Sequence, residues 1–249
     1  MTTQHHPLER FLWELTSHRP LDEADRQAIL DLPIRIRDLD HSSYLVREGA
    51  LPLICSVLIE GFAFRQKVTG DGSRQIIALC IPGEAVDLQN MFLNVSDHSV
   101  QMLTRGTVAD LNRNDLQQLA LTRPAIGAAI IKTTLVEASI LREWVVNVGC
   151  RDARERIAHV LCEFAVRLEA RGLSSGGFEL PMTQEQLADT TGLTPVHVNR
   201  VLKALEADGL ISRQRRQIQF PDWRALQAVG DFSRQYLHLP EQEIVAAAL

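Results

Sequence analysis

Apolar positions change their period several times along the chain, and each change marks a unit. Between residues 8 and 32, Leu8, Leu12, Leu15, Ile29 and Leu32 recur at intervals of three or four, which predicts short helices. From Ile34 to about Leu111 the pattern is that of strands: segments such as 34–39, 53–59, 74–81 and 99–103 are short and rich in β-formers. Gly49, Gly61, Gly70-Asp71-Gly72, Pro82-Gly83 and Gly106 punctuate them. Many short strands with regularly spaced turns predict a barrel or roll. Helical spacing returns from Asn114 to Val148, with a long helix starting near Pro124. Its apolar stripe is Ile126, Ile130, Thr133, Val136, Ile140, Trp144 and Val148. Such a stripe pairs with another helix, often a second copy of itself, or packs on the chain's own roll; opposite faces of one helix can do both. Asp152 with Glu155 forms a capping box, so a new helix starts there and runs to about Ala170. Gly149-Cys150-Arg151 between the two reads as a hinge, residues 172–177 as a loop, and the stretch after Trp223 as one short helix and a tail.

Residues 182–211 carry the most specific pattern. Thr183 and Gln186 make a second capping box, Leu187 and Ala188 form an inward face, and Gly192 stops the helix. Leu193 packs into the turn, Thr194 is the next N-cap, and Pro195 takes the first helical position, where a missing N–H costs nothing. Val198, Val201, Leu202 and Leu205 then face the core, His197, Asn199, Arg200 and Lys203 face outward, and Gly209 ends the helix. Two short helices, a tight turn and a polar face on the second are the pattern of a helix-turn-helix, whose second helix enters the DNA major groove. The segments 210–213 and 217–220, joined by Gln214-Arg215-Arg216, predict a β-hairpin wing. Arg213, Arg215 and Arg216 would reach phosphates from it.

Composition narrows the picture without changing it. The chain has 249 residues, room for two cores, and a formal net charge of -5, which argues against nonspecific, charge-driven nucleic-acid binding but allows a local positive patch. The polar start MTTQHHPLERFLWEL predicts no signal peptide, and no apolar run is expected to span a membrane. Cys55, Cys80, Cys150 and Cys162 are scattered, which suggests no disulfides and fits a cytoplasmic setting. No Walker loop, catalytic triad or zinc spacing occurs, so no enzyme is expected.

An α+β chain with a β-roll, a long helix, a hinge and a winged helix-turn-helix, in that order, resembles the Crp/Fnr family of bacterial transcription regulators. The motifs carrying the resemblance are Ile81-Pro82-Gly83-Glu84, Arg151-Asp152-Ala-Arg-Glu-Arg156-Ile157-Ala158 and the winged helix-turn-helix. It implies a cyclic-nucleotide-binding-like β-roll sensor over 1–120, a long dimerisation helix and hinge over 121–149, a DNA-binding domain over 150–230 and a tail over 231–249. It further implies a homodimer seamed through Ile126, Ile130, Thr133, Val136, Ile140 and Trp144, a palindromic operator read by helix 194–208, and RNA polymerase as a partner. Arg200 would be the main base reader, donating twice to guanine, with Asn199, His197 and Val196 beside it. Thr183, Gln184, Thr194 and Lys203 would contact phosphates. Val196 stands where family members commonly place Glu, so a cytosine contact is lost and a thymine methyl is within reach.

The implied effector pocket comprises Gly83, Glu84, Asp87, Leu88, Gln89, His98, Ser99, Leu141 and Arg142. Members that bind cyclic AMP have Glu where this chain has Leu88 and Arg-Ser where it has His98-Ser99, and place small hydroxyl residues at Leu141 and Arg142. The sequence therefore argues against cyclic AMP. It also argues against an iron–sulfur cluster, because the N-terminal 54 residues hold no cysteine. The controlling signal is left as an unidentified ligand or redox input. His5, His6, His18, His41 and His98 are scattered candidates for haem, and Cys55 and Cys80 for redox, though both cysteines lie on apolar strands. The alternative is a haem or small-molecule sensor whose C-terminal domain is not a specific DNA reader.

Overall fold

The computed structural model describes residues 6–174 and 176–240; His5, the side chain of His18 and residues 241–249 of the tail lie outside them. Two helices, α1 (Glu9–His18) and α2 (Glu23–Leu30), precede the roll. Seven strands follow: β1 (Ile34–Leu39), β2 (Tyr44–Val46), β3 (Ile54–Glu60), β4 (Ala63–Val68), β5 (Arg74–Cys80), β6 (Ser99–Met102) and β7 (Gly106–Asn112). They pair antiparallel in two sheets, ordered β1-β7-β3 and β2-β6-β4-β5. Leu58, Ala63, Cys80, Val86, Val100, Met102 and Val108 fill the space between them. At the β7 start a side chain on Gly106 would stand 2.1 Å from the Glu60 carbonyl oxygen, so only glycine lets the sheet turn there.

Asn112 caps α3 (Arg113–Thr122), and α4 (Pro124–Cys150) follows as a 27-residue helix. By length and composition α4 could cross a membrane, contrary to the sequence expectation. One face of it is instead packed inside the chain. Ile126 and Ile130 join the core formed by α1, β3, β7 and α3; Thr133, Val136 and Ile140 line a cavity against the roll; Trp144 donates to Glu163 at 2.9 Å. The stripe expected to meet a second copy is therefore the inward face. The open apolar stripe is one position round: Ile131, Leu135 and Val145 are 61%, 62% and 69% exposed.

The helices α4 and α5 (Ala153–Ala170) are separated by two residues, and the capping box of Asp152 and Glu155 starts the second. The expected hinge is pinned rather than loose. Arg151 is buried and donates to Glu143 at 2.6 Å and Asp231 at 3.1 Å. His159 lies 3.0 Å from both the Gly230 carbonyl and the Tyr236 hydroxyl, and Tyr236 donates to Glu163. Burial first, then the nearby Arg151 charge, push His159 below the usual histidine range, so it sits neutral in this network.

The C-terminal unit continues with β8 (Gly177–Glu179), α6 (Gln184–Thr191), α7 (Pro195–Ala207), β9 (Ser212–Gln214), β10 (Gln217–Gln219) and α8 (Trp223–Val229), its small sheet ordered β8-β10-β9. Its core is not closed on itself. Phe64, Ile76, Leu79, Ile81 and Leu103 of the roll belong to one apolar cluster with Leu161, Phe164, Leu187 and Leu202. Polar contacts reinforce the junction: Arg74 pairs with Asp189 at 2.6 Å, and Gln75 donates to the Asp189 carbonyl at 2.6 Å.

Candidate nucleic-acid interface

The local signals of residues 182–211 place every side chain of this surface. Thr183 Oγ1 accepts from Gln186 N while Gln186 Oε1 accepts from Thr183 N, so α6 starts with both donors satisfied. Gly192 adopts the left-handed conformation with φ +65°, turning the chain in a single step. Thr194 then accepts from His197 N, and Pro195 opens α7. Buried Leu187 and Ala188 meet Val198, Val201, Leu202 and Leu205, which fixes the opposite face of α7 toward solvent.

On that face Gln184, Pro195, Val196, Asn199, Arg200 and Lys203 line one open depression. Val196 is 81% exposed, an apolar side chain held out at the start of the helix. Asn199 donates to Gln184 Oε1 at 3.1 Å, so its amide is oriented in advance. Arg200 and Lys203 have no ion-pair partner among the described residues, which leaves two cations free for an incoming polyanion. Thr194 is exposed, but its oxygen already serves the cap. His197 is half-buried and lies outside this depression.

The wing departs from expectation. A second groove, sharing Gln184, runs between the helices and the hairpin and is lined by Thr183, Met182, Arg213, Arg215 and Arg216. Arg213, however, is bound by Glu206 at 2.7 Å, and its side-chain hydrogen bond is the main cause holding the Glu206 carboxyl below its usual range. Arg216 donates to the Leu180 carbonyl at 3.1 Å. Both act as struts that hold the hairpin. Arg215, at the turn with φ +58°, is exposed and free to reach outward.

The nine residues expected to form an effector pocket do not converge. Only Glu84 and Leu141 line the cavity of about 50 Å³ between roll, α4 and α5. Glu84 accepts from Arg167 and Arg171 at 2.9 Å, binding the roll to α5. Gly83 has φ +101° and lies against Arg10; Leu88 is in the core; Gln89 is half-buried; Ser99 accepts from Glu48 N at 3.0 Å. Arg142 is exposed on the open side of α4, away from the cavity. His98 is bonded to Asp97 at 2.8 Å and stands 3.5 Å from Asp87, which is 1% exposed with neither oxygen hydrogen-bonded. His6 meets Leu8 N, and His41 sits exposed on a turn, so the candidate histidines among the described residues are not gathered either. Burial pushes the Cys55 and Cys80 thiols up to about 12, which disfavours the reactive thiolate.

Asp87 makes a measurable prediction. Burial, its largest cause, raises its pKa from 3.8 to about 6. A folded-state pKa above the unfolded one means that protonation favours folding; the contribution is present below about pH 4 and is lost as pH rises through about 6. Asp87→Asn is therefore expected to raise stability at pH 7.5 by about 1–3 kcal/mol and to flatten the dependence between pH 4 and 6. Urea unfolding across that range checks it, and an unchanged or lower midpoint at pH 7.5 would refute it.

Comparisons with known proteins agree with this geometry. Residues 155–229 match a Crp-like helix-turn-helix domain and residues 36–123 a cyclic nucleotide-binding domain. The transcriptional activator protein FnrL of Cereibacter sphaeroides is 31% identical over 182 residues, covering 71% of this chain and 73% of that protein. The nitrogen fixation regulation protein FixK of Bradyrhizobium diazoefficiens is 29% identical over 195 residues, 77% and 80% of the two chains. The solved structure of FixK2 from Bradyrhizobium japonicum superposes with a TM-score of 0.75 at 22% identity, covering 81% of this chain and all of that one. With the roll, the long helix and the winged reading head in place, the chain belongs to the Crp/Fnr family of DNA-binding transcription regulators.

Proposed function

We propose that the protein works as a cytoplasmic homodimer that reads a two-fold symmetric operator and contacts RNA polymerase, as a regulator without catalytic activity. The observation that carries the reading is the free, outward pair Arg200 and Lys203 beside exposed Val196 on α7. Arg200 donates to guanine O6 and N7, Val196 meets a thymine methyl, and Asn199 reads a neighbouring base edge. Thr183, Gln184, Lys203 and Arg215 take phosphates.

The dimer seam in this reading is the open stripe of α4, not the inward one. Ile131, Leu135, Ala138, Arg142 and Val145 follow each other at alternating intervals of four and three, the spacing of a coiled-coil seam. Two such helices set side by side present two recognition helices about one DNA turn apart. Support for polymerase contact is that relatives are named transcriptional activators. The Crp-like domain match speaks against a sensor with a non-reading C-terminal domain.

Selection from random duplex DNA tests the function. Enriched sequences should be inverted repeats with half-site centres about 10 base pairs apart, each containing a G·C pair. Recovery of unrelated sequences without symmetry would defeat the proposal.

A further inference from the structure

The cyclic nucleotide-binding domain match over residues 36–123 points to a nucleotide bound in the roll, yet the side chains that line the cavity between the roll and α4 do not fit one. A cyclic nucleotide brings a phosphate anion. The three arginines that line the cavity, Arg65, Arg167 and Arg171, are already paired with Glu137, Glu84 and Glu14, so a phosphate would have to displace a carboxylate from one of them. The cavity of about 50 Å³ is far below the roughly 300–1,000 Å³ of an ordinary small-molecule pocket.

Arg65 stands in the wall of this cavity. It projects from β4, is 7% exposed, and lines the cavity. Its Nε donates to the Val86 carbonyl at 2.8 Å, and its Nη2 donates to Glu137 Oε1 at 2.9 Å. Val86 belongs to the turn that follows β5, and Glu137 to α4. One planar guanidinium therefore joins the floor of the roll to the long helix, a two-point grip that an ammonium could not reproduce. Beside it Arg167 donates to Leu79 O and to Glu84 at 2.9 Å, tying the same floor to α5.

We propose that Arg65 is a built-in substitute for an effector: by gripping Val86 and Glu137 it holds α4 against the roll, so the DNA-reading arrangement assembles without a nucleotide. The Arg65–Glu137 pair is mutually dependent, because removing either partner leaves the other charge poorly solvated and unpaired. The consequence is a regulator whose DNA-reading arrangement is undone by anything that pries α4 from the roll.

Hydrogen–deuterium exchange on the full-length protein tests this without reference to DNA. Arg65→Met and Glu137→Leu should each speed exchange over residues 133–144 by about tenfold, and the double variant should be no worse than either single one, the signature of one coupled contact. Should Arg65→Met fail to fold, Arg65→Lys supplies the test, since it keeps the charge and loses the two-point grip. Wild-type melting temperature should not move with millimolar cyclic AMP or cyclic GMP. Additive effects of the two substitutions, unchanged exchange in α4, or stabilisation of the wild type by either nucleotide would overturn the proposal. Wild-type operator affinity, measured alongside, reports separately on the DNA-reading function and should be the same with and without nucleotide.

Discussion

Leu135→Asp is expected to give a folded monomer with little hold on its operator. The side chain is 62% exposed in the single chain, so its replacement removes few contacts inside the protomer. Across a two-fold seam the same change sets two carboxylates near one another in an apolar strip, where each loses water and gains a like charge. It also removes two leucines, each worth about 1.5–3 kcal/mol when fully buried. Against the surplus that holds an ordinary dimer together, that is enough to move dissociation from nanomolar to micromolar or weaker. Loss of the dimer then separates the two half-site contacts, and the avidity between them disappears. Sedimentation velocity and gel-shift titration measure the two effects together. The neighbouring face offers the control: Val136 is buried against the roll, so Val136→Asp should unfold the chain instead of splitting it. A Leu135→Asp protein that sediments as a dimer would show that the seam lies elsewhere.

Arg200→Ala is expected to abolish selective operator binding while leaving the melting temperature unchanged. Arg200 is exposed on α7 and makes no ion pair among the described residues, so its loss costs the fold nothing. On DNA a bidentate contact to guanine is worth about 1–3 kcal/mol of discrimination. The dimer makes it twice, so affinity should fall by roughly 10²- to 10⁴-fold, and the guanine position should become degenerate in a repeated selection. Lys203→Ala is the useful contrast. It removes a phosphate contact, should weaken all sequences alike and should lower the salt slope by about one per half-site. Retention of wild-type affinity and base preference by Arg200→Ala would move the reading role to another side chain.

How much of this could be read from the chain depended on how local each cause was. The caps of α5, α6 and α7 and the turn at Gly192 lie within a few residues of their partners, and the sequence reading located all of them. Strands β4 and β7 are hard to delimit inside the strand-rich stretch because buried Arg65, Gln66 and Asp110 interrupt the alternation expected of a strand with one wet face. Asp110 is paired with Arg37, and Arg65 with Glu137, across 73 and 72 positions that no local pattern connects. The phase of α4 is left open by the sequence for a different reason. It is apolar on two sides, so Ile130 and Val136 look as fit for a seam as Ile131 and Leu135. Only the position of the roll decides between them. Arg213 and Arg216 were legible as a basic cluster, but not as struts, since Glu206 and the Leu180 carbonyl that bind them belong to other elements.

The apolar cluster that runs without a break from Phe64 and Ile76 into α5 and α6 has a consequence for target choice. A reading head on a slack linker can adjust to half-sites at several separations, because it rotates freely before it binds. Here Arg74 and Gln75 grip the end of α6, and the head inherits its bearing from the roll. Each base pair added between half-sites turns the second by about 35° round the DNA axis, since a turn takes about 10–10.5 base pairs. A rigidly borne head cannot follow that rotation without breaking the shared cluster. In the proposed dimer the joint would thus work as a ruler, fixing the distance between half-sites while α7 fixes the bases within them.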